Sequence, residues 1–531
     1  MAFIRSTIGS AARKLRVAGI IPHMERVAVI DMGSNSWRLV VFGYEPGTPW
    51  WSLVDEIREA VRIGAGMGAA SDNGDARELR PDRVELALHT AAVYSAFCRA
   101  TGVDQVEALA TSAIRDAANG EELLAEIERR TGLRARVISG EEEARYGWFA
   151  IANSTTIEDG FGLDIGGGSI QTLQIEDRRL VASRSLRLGA VRVSERFLPD
   201  EKTSAKQMNA LREHAAAELE ELGWWSGGGR LVGIGGTIRN LAAAAMKRLD
   251  IPDIDVQGFR LTREALEELI DELASRPVSK RAQVKGIKYD RADVILGGAL
   301  VLATALEQGG FDAIEVTEAG LREGAFFERL LGDDELFEDV RAESVHNLSH
   351  RFGHDNEHDL HVWRLSRSMF DGLAAAGLHD YGAAERELLW AACLLHDIGV
   401  AVNYDDHHRH SHYLTLNAGL PGFTPRELIL IGLIARYHRK GAPDPSELGD
   451  LAEPGDEHRL QLLCGVIRLA EQLERSRDRA ITDVRVSANG STVALEADTH
   501  PDRDATVPIW AARRNADLLA ESLGRDVEIE A

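Results

Sequence analysis

The sequence predicts an α/β protein: two related lobes around a cleft, then an all-helical domain, then a small α/β tail. Three observations carry this. A strand, glycine turn and strand occur at "VIDMGSNSWRLVVF" and again at "LDIGGGSIQT". A third glycine turn, in "GIGGTIRNLA", leads from a strand into a helix. After about Gly332 histidines become frequent and helical periodicity takes over. A motif that recurs at this spacing suggests duplication, and two related α/β units leave a crevice where their turns face.

In chain order, residues 1–25 begin with "MAFIRSTIGSAARKLR", basic and free of acids. The apolar core of a secretory signal is missing, so an N-terminal extension is expected. The first lobe is assigned to 26–146. It opens with the strand–turn–strand motif and continues with helices over 81–100 and 121–130. The second helix has Asn119 as its candidate N-cap, Glu122 three residues on, and Thr131-Gly132 at its end. "ARVISG" reads as a strand running into a helix that starts near Glu141. The second lobe is assigned to 147–331, the helical domain to 332–480 and the tail to 481–531. In the tail, Asn489-Gly490 signals a hairpin. A helix over 509–523 and a strand "DVEIE" close the chain.

Composition limits the function classes. The chain has 531 residues, 44% hydrophobic and 27% charged, with a formal net charge of −24. Such a chain is repelled by nucleic acid and anionic membrane unless a local basic surface overcomes the global field. The apolar run "GGALVLATAL" is about half the length of a membrane span. Cys98, Cys393 and Cys464 are too few and too scattered for a disulfide framework, which points to a reducing, cytoplasmic setting.

The turns point to phosphate. Consecutive backbone N–H groups in a glycine turn can surround an anion, because glycine accepts the dihedrals and carries no Cβ to obstruct it. The candidates are Gly33, Ser34 and Asn35 in the first turn, Gly166, Gly167, Gly168 and Ser169 in the second, and Gly235, Gly236 and Thr237 in the third. Ser34, Ser169 and Thr237 also offer hydroxyl donors. Asp31 and Asp164 end the strands before two of these turns. Beside phosphate, their natural use is to hold Mg²⁺.

"VIDMGSNSWRLVVF", "ATSAIRDAANG", "VISGEEEARYGW", "LDIGGGSIQT", "GIGGTIRNLA" and "EAGLREGAFFERLL" together resemble the exopolyphosphatase/guanosine pentaphosphate phosphatase family. That family has the fold of actin, sugar kinases and heat-shock chaperones, with ribonuclease-H-like lobes. The resemblance implies hydrolysis of a terminal phosphoanhydride, with inorganic polyphosphate or guanosine pentaphosphate as substrate, no nucleic acid or membrane partner, and a homodimer. It implies Glu143 as the catalytic base and Arg115 as a phosphate contact. Where the family's second glycine motif closes with an acid, this chain has Gln171. An amide can orient water or lend its carbonyl to a cation, but it cannot act as base. Mg²⁺ is the expected cofactor, with Mn²⁺ as the alternative and a monovalent cation such as K⁺ beside it. A polyanion also needs a positive track. Its candidates are Arg187 and Arg192; Lys285, Lys288 and Arg291; and the run Arg436, His438, Arg439, Lys440.

"LLHDIGVAVNYDDHHRHSHYL", "LPGF" and "ARYHRKGAP" resemble the helical C-terminal domain of the long exopolyphosphatases. His358, the adjacent His396 and Asp397, and Glu471 also resemble the HD phosphohydrolase pattern, in which such residues surround a metal. Glu471 stands where that pattern has aspartate. His408, His410 and His412 are further possible ligands.

Overall fold

The computed structural model describes residues 24–67, 78–332, 336–353 and 356–531. The extension expected over 1–25 lies almost wholly outside the described residues. The chain divides into two compact units. The first takes the chain up to Lys247 together with Phe259–Glu338; the second takes Arg248–Gly258 and Asp339–Ala531.

Two sheets form the first unit. One contains β1 (Glu25–Met32), β2 (Trp37–Tyr44), β3 (Trp51–Glu59), β4 (Gln105–Ala110) and β5 (Ala135–Val137), in the order β3-β2-β1-β4-β5. The other contains β6 (Gly160–Ile165), β7 (Ile170–Glu176), β8 (Arg179–Leu186), β9 (Leu231–Ile234), β10 (Arg260–Thr262) and β11 (Ala313–Val316), in the order β10-β11-β9-β6-β7-β8. Both follow one plan. An antiparallel meander comes first, and parallel strands then add beside its first member, with β10 joining the edge of the second sheet antiparallel to β11. The inner strands, such as "VAVI" of β1, are continuous apolar runs because both faces of the sheet are covered.

On one face of the first sheet, Ile30, Leu39 and Val41 pack against Tyr94, Leu123 and Ile127 of the helices Pro81–Thr101 and Gly120–Thr131. On the other face Phe42 stacks on Phe326, from the helix Leu321–Leu331, with ring centroids 4.3 Å apart. That late helix also packs along Gly140–Ala152, the helix that carries the chain from the first sheet to the second.

Two local expectations need correction. Asn119 occupies the N-cap position but makes no cap hydrogen bond. Its side chain is drawn instead to the backbone of Leu79, accepting from the N–H at 2.8 Å and donating to the carbonyl at 3.3 Å. The helix expected over 509–523 is two helices, Thr506–Arg513 and Asp517–Leu523. Between them Asn515 donates its side-chain amide to Ala511 O at 2.8 Å, a local bond of the kind that competes with helix continuation.

The second unit is a helical assembly with one continuous core. That core also takes in Ile481, Val484, Val493, Leu495 and Ile529 of a three-stranded sheet, β12 (Ile481–Asn489), β13 (Thr492–Thr499) and β14 (Asp526–Glu530). The hairpin turns where expected, with Gly490 at φ +58°. Among the described residues no helix is long and apolar enough to cross a membrane, and all three cysteines are free and buried.

Gly324 is where the helices Leu321–Leu331 and Gly140–Ala152 touch. A Cβ there would overlap the carbonyl oxygen of Tyr146. Gly324→Ala should therefore force the pair apart and cost about 1–3 kcal/mol, read from denaturant unfolding. Unchanged stability would show that the two helices are not in contact at this point.

Candidate active site

The hairpin from β6 to β7 is closed by Gly166–Ser169, with the Gly166 N–H donating to Ser169 O at 3.0 Å. The other carbonyls of this turn are claimed from one side. Gly166 O accepts from Ala190 N at 2.9 Å and Gly167 O from Val191 N at 2.9 Å, both at the start of the helix Ala190–Phe197. Gly168 O accepts from Arg192 Nε at 2.8 Å. Gly189 permits this approach: a Cβ there would lie 2.5 Å from Gly167 C. Among the described residues no partner is found for the N–H groups of Gly167 and Gly168.

The first turn meets the second. A Cβ on Gly167 would lie 3.0 Å from Ser34 Cβ and 3.2 Å from Asn35 N. One on Gly168 would lie 2.5 Å from Ser112 Oγ and 2.9 Å from Ser34 Oγ. Ser34 and Ser112 share a hydroxyl–hydroxyl hydrogen bond of 3.0 Å. The third turn joins from behind. Gly235 has φ +97° and sits against Asp164, whose Oδ1 would be 2.6 Å from a Cβ there. The guanidinium of Arg291 lies over Gly236, while the Thr237 side chain packs against Gly298.

Three carboxylates share this place. Withdrawal from water pushes Asp164 up to about 6, with the charge of Asp31 adding to the rise. Asp31 is raised by the same desolvation, against the pull of Arg322 and Arg38. Arg322 Nη1 lies 3.4 Å from Asp31 Oδ2. Glu143 follows the capping box that starts the helix Gly140–Ala152, in which Ser139 and Glu142 exchange bonds. Glu142 is thus used as a helix starter and Glu143, 8% exposed, is turned inward. Burial pushes Glu143 up to about 8, opposed by Arg115 and reinforced by Asp164 and Asp31. Arg115 Nη1 donates to Glu143 Oε2 at 3.3 Å and to Ile138 O at 2.8 Å.

Gln171 pairs with Asp164 across β6 and β7. It is 1% exposed and donates Nε2 to Ser169 Oγ at 3.0 Å and Ser185 Oγ at 3.3 Å. Its Oε1 is buried and has no hydrogen-bond partner among the described residues. Such an oxygen calls for water or a cation.

Cations crowd the same region. Burial and then repulsion from Arg58 pull Arg291 down to about 10. Burial, Arg58, Arg239 and Arg38 pull Lys288 down as well. Like charges that suppress one another's protonation mark a place that favours an anion. Three further members of the expected track are spent on ion pairs. Arg192 binds Asp116 at 2.7 Å, Arg436 pairs with Glu447, and Lys440 lies 3.3 Å from Asp406. His438 is buried rather than exposed.

Ser112, Ser185, Arg239 and Arg322 were not singled out by sequence. Arg322 lies in the quoted "EAGLREGAFF", but nothing in its spacing announces a buried arginine facing Asp31. In the second unit, His358, His396, Asp397 and Glu471 do come together in the interior. Two unforeseen histidines, His407 and His438, join them. His412 turns away to Glu447 at 2.9 Å.

A model of the Ppx/GppA phosphatase family matches residues 17–332, and a model of domain III of that family matches 340–507. The chain belongs to the Ppx/GppA phosphatase family. Similar solved structures include the Aquifex aeolicus family member, 30% identical with a TM-score of 0.49, covering 58% of this chain and 98% of that one. An exopolyphosphatase-like protein is 26% identical with a TM-score of 0.51, again covering 58% and 98%. An exopolyphosphatase from Cytophaga hutchinsonii, 21% identical with a TM-score of 0.52 over the same shares, agrees in fold. As a Ppx/GppA member the chain is a phosphatase, and the cluster of turns and carboxylates is its candidate centre.

Burial holds Glu143 up to about 8, so any step that needs its ionised form is favoured only as the pH rises. The kcat/KM for phosphate release should therefore climb with pH on a limb several units above that of an ordinary glutamate. Asp31→Asn or Asp164→Asn should move the limb downward, because either change removes that residue's share of the rise. A pH profile flat from 5 to 9 would contradict this placement of the charge.

Proposed function

We propose that this chain releases orthophosphate from the end of linear inorganic polyphosphate. The observation that carries the reading is the buried Glu143, tethered by Arg115, beside two facing glycine turns. The turns supply N–H donors for the non-bridging oxygens of the terminal phosphoryl group. A water molecule attacks its phosphorus in line, Glu143 accepts the water proton, and the bond to the bridging oxygen breaks. The products are orthophosphate and a chain one phosphate shorter. Arg115 holds Glu143 through Nη1 and offers its remaining N–H groups to the phosphoryl oxygens. The cation-rich ground around Arg38, Arg239, Lys288 and Arg291 suits the next phosphates of a long polyanion.

Asp31 and Asp164 fit Mg²⁺: two buried carboxylates, the charge of Asp31 adding to the proton affinity of Asp164, with the orphaned Gln171 Oε1 as a neutral oxygen nearby. Mg²⁺ held there would offset charge on the phosphate oxygens. The exchange of an acid for Gln171 removes one negative charge from this set, so a weaker hold on the ion is expected.

Phosphate release should be compared for long polyphosphate, short polyphosphate and guanosine pentaphosphate, with and without Mg²⁺. Long polyphosphate should be consumed fastest and only with Mg²⁺. Preference for guanosine pentaphosphate would move the assignment to the family's other substrate, and binding without release in every case would make the chain a sensor. Glu143→Gln should lower kcat by about 10²–10⁴-fold while polyphosphate still binds. A rate equal to wild type would remove Glu143 as base. Gln171→Glu should lower the Mg²⁺ concentration needed for half-maximal rate.

A further inference from the structure

The second unit holds a pocket of about 420 Å³ that no residue of the chemistry above lines. None of His358, His396, Asp397 and Glu471 lines it either. One wall is a single helix face. Glu357, Leu360, His361 and Arg364 recur at helical spacing along the helix Asn356–Ala375, so their side chains share a side. The other wall comes from the turns before β12 and after β13, which supply Arg479, His500 and Arg503. These turns are braced against each other. His500 N donates to Ala480 O at 2.8 Å, and the Arg503 guanidinium donates through Nη1 to Asp478 O.

The lining favours an anion. It carries three arginines against one glutamate, in a chain whose net charge is −24. Arg503 is anchored on a neutral carbonyl, which does not offset its charge. Arg364 lies 4.0 Å from Asp483 Oδ2, beyond hydrogen-bond length. Arg479 holds Glu357 Oε2 at 2.5 Å, but the Glu357 side chain is 82% exposed, and a pair so solvated is weak. His500 Nδ1 accepts from Asp502 N at 3.2 Å, so Nε2 carries the ring proton and is a donor. His361 donates Nε2 to Ile481 O at 2.8 Å. Burial first, and then Arg479 and Arg364, hold His361 below its ordinary value against that bond, so the field of both arginines reaches one imidazole. The volume falls among pockets that enclose a small organic molecule, roughly 300–1,000 Å³. Leu360, 49% exposed, gives the wall an apolar side chain among the charges.

We propose that the pocket between Arg364, Arg479 and Arg503 binds a phosphorylated small molecule of mononucleotide size. Guanidinium forks match phosphate oxygens two at a time, and His500 Nε2 adds a further donor. The phosphate takes the place of Glu357 on Arg479, and the organic body of the ligand lies on Leu360. The site is independent of the phosphatase reading.

The test is calorimetric titration of the full chain with adenosine and guanosine monophosphate, and with the nucleosides and orthophosphate as their two halves. One equivalent of nucleotide should bind, and each half at least about tenfold more weakly. Arg364→Glu and Arg503→Gln, both at exposed side chains, should each weaken nucleotide binding at least about tenfold. Phosphate release from polyphosphate by both variants should keep its wild-type rate. Arg291→Gln in the first unit should leave nucleotide binding unchanged. No binding of either nucleotide to the wild type would overturn the proposal, as would undiminished affinity in both folded variants. Orthophosphate bound as tightly as a nucleotide would mark a plain anion site, and displacement of the nucleotide by long polyphosphate would mark a stretch of the substrate's path; either overturns it. Should an arginine variant not fold by circular dichroism, Leu360→Asp decides: it should weaken the nucleotides, and an unchanged affinity would overturn the site.

Discussion

Everything at the candidate phosphatase centre depends on how closely two backbone turns approach. Gly167 and Gly168 lie against Ser34, Asn35 and Ser112 with no space for even a methyl group. The approach is set by the sheets. β1–β2 and β6–β7 are equivalent hairpins of one repeated plan, so each sheet delivers its turn from the same end. It is held from behind by the helix at Ala190, whose N–H groups take up the carbonyls of the second turn. A turn whose carbonyls are occupied on one side keeps its amides for the other, an asymmetry suited to holding an anion.

The electrostatics follow from this crowding. Three carboxylates are drawn out of water in one place, and desolvation is the largest influence on each. Arginines answer them, yet those arginines also repel one another. Neither sign is satisfied internally. A phosphate chain with a divalent cation would answer both, so the site is organised for a ligand that carries its own counter-ion. The fixed helix start at Ser139 and Glu142 is what separates Glu143 from its two acidic neighbours and commits it to the interior.

The parts legible in sequence were those with a local signature. Glycine turns after strands, the strand-end aspartates and the Asn489-Gly490 hairpin all announce themselves within a few residues. Residues two apart on a strand share a face, and Gln171 does hydrogen-bond to Ser169. What sequence could not give were long-range pairings. Arg322 reaches Asp31 from nearly the far end of the first unit, and Arg192 bridges to Asp116. The histidine cluster shows the same limit. His407 and His438 enter it, whereas His412, one helical turn and a residue beyond His407, faces Glu447. The choice depends on helix phase and on which helix packs alongside, and histidine content carries neither.

The most direct measurement is single-turnover phosphate release by Gly168→Ala beside the wild type, with Mg²⁺ and long polyphosphate. The added methyl would stand 2.5 Å from Ser112 Oγ and push the turns apart by a fraction of the approach that defines the site. A misplacement of that size should lower kcat/KM by about 100-fold or more in a protein that still folds. A folded Gly168→Ala protein that works at the wild-type rate would show that the facing turns are not where the phosphate is held.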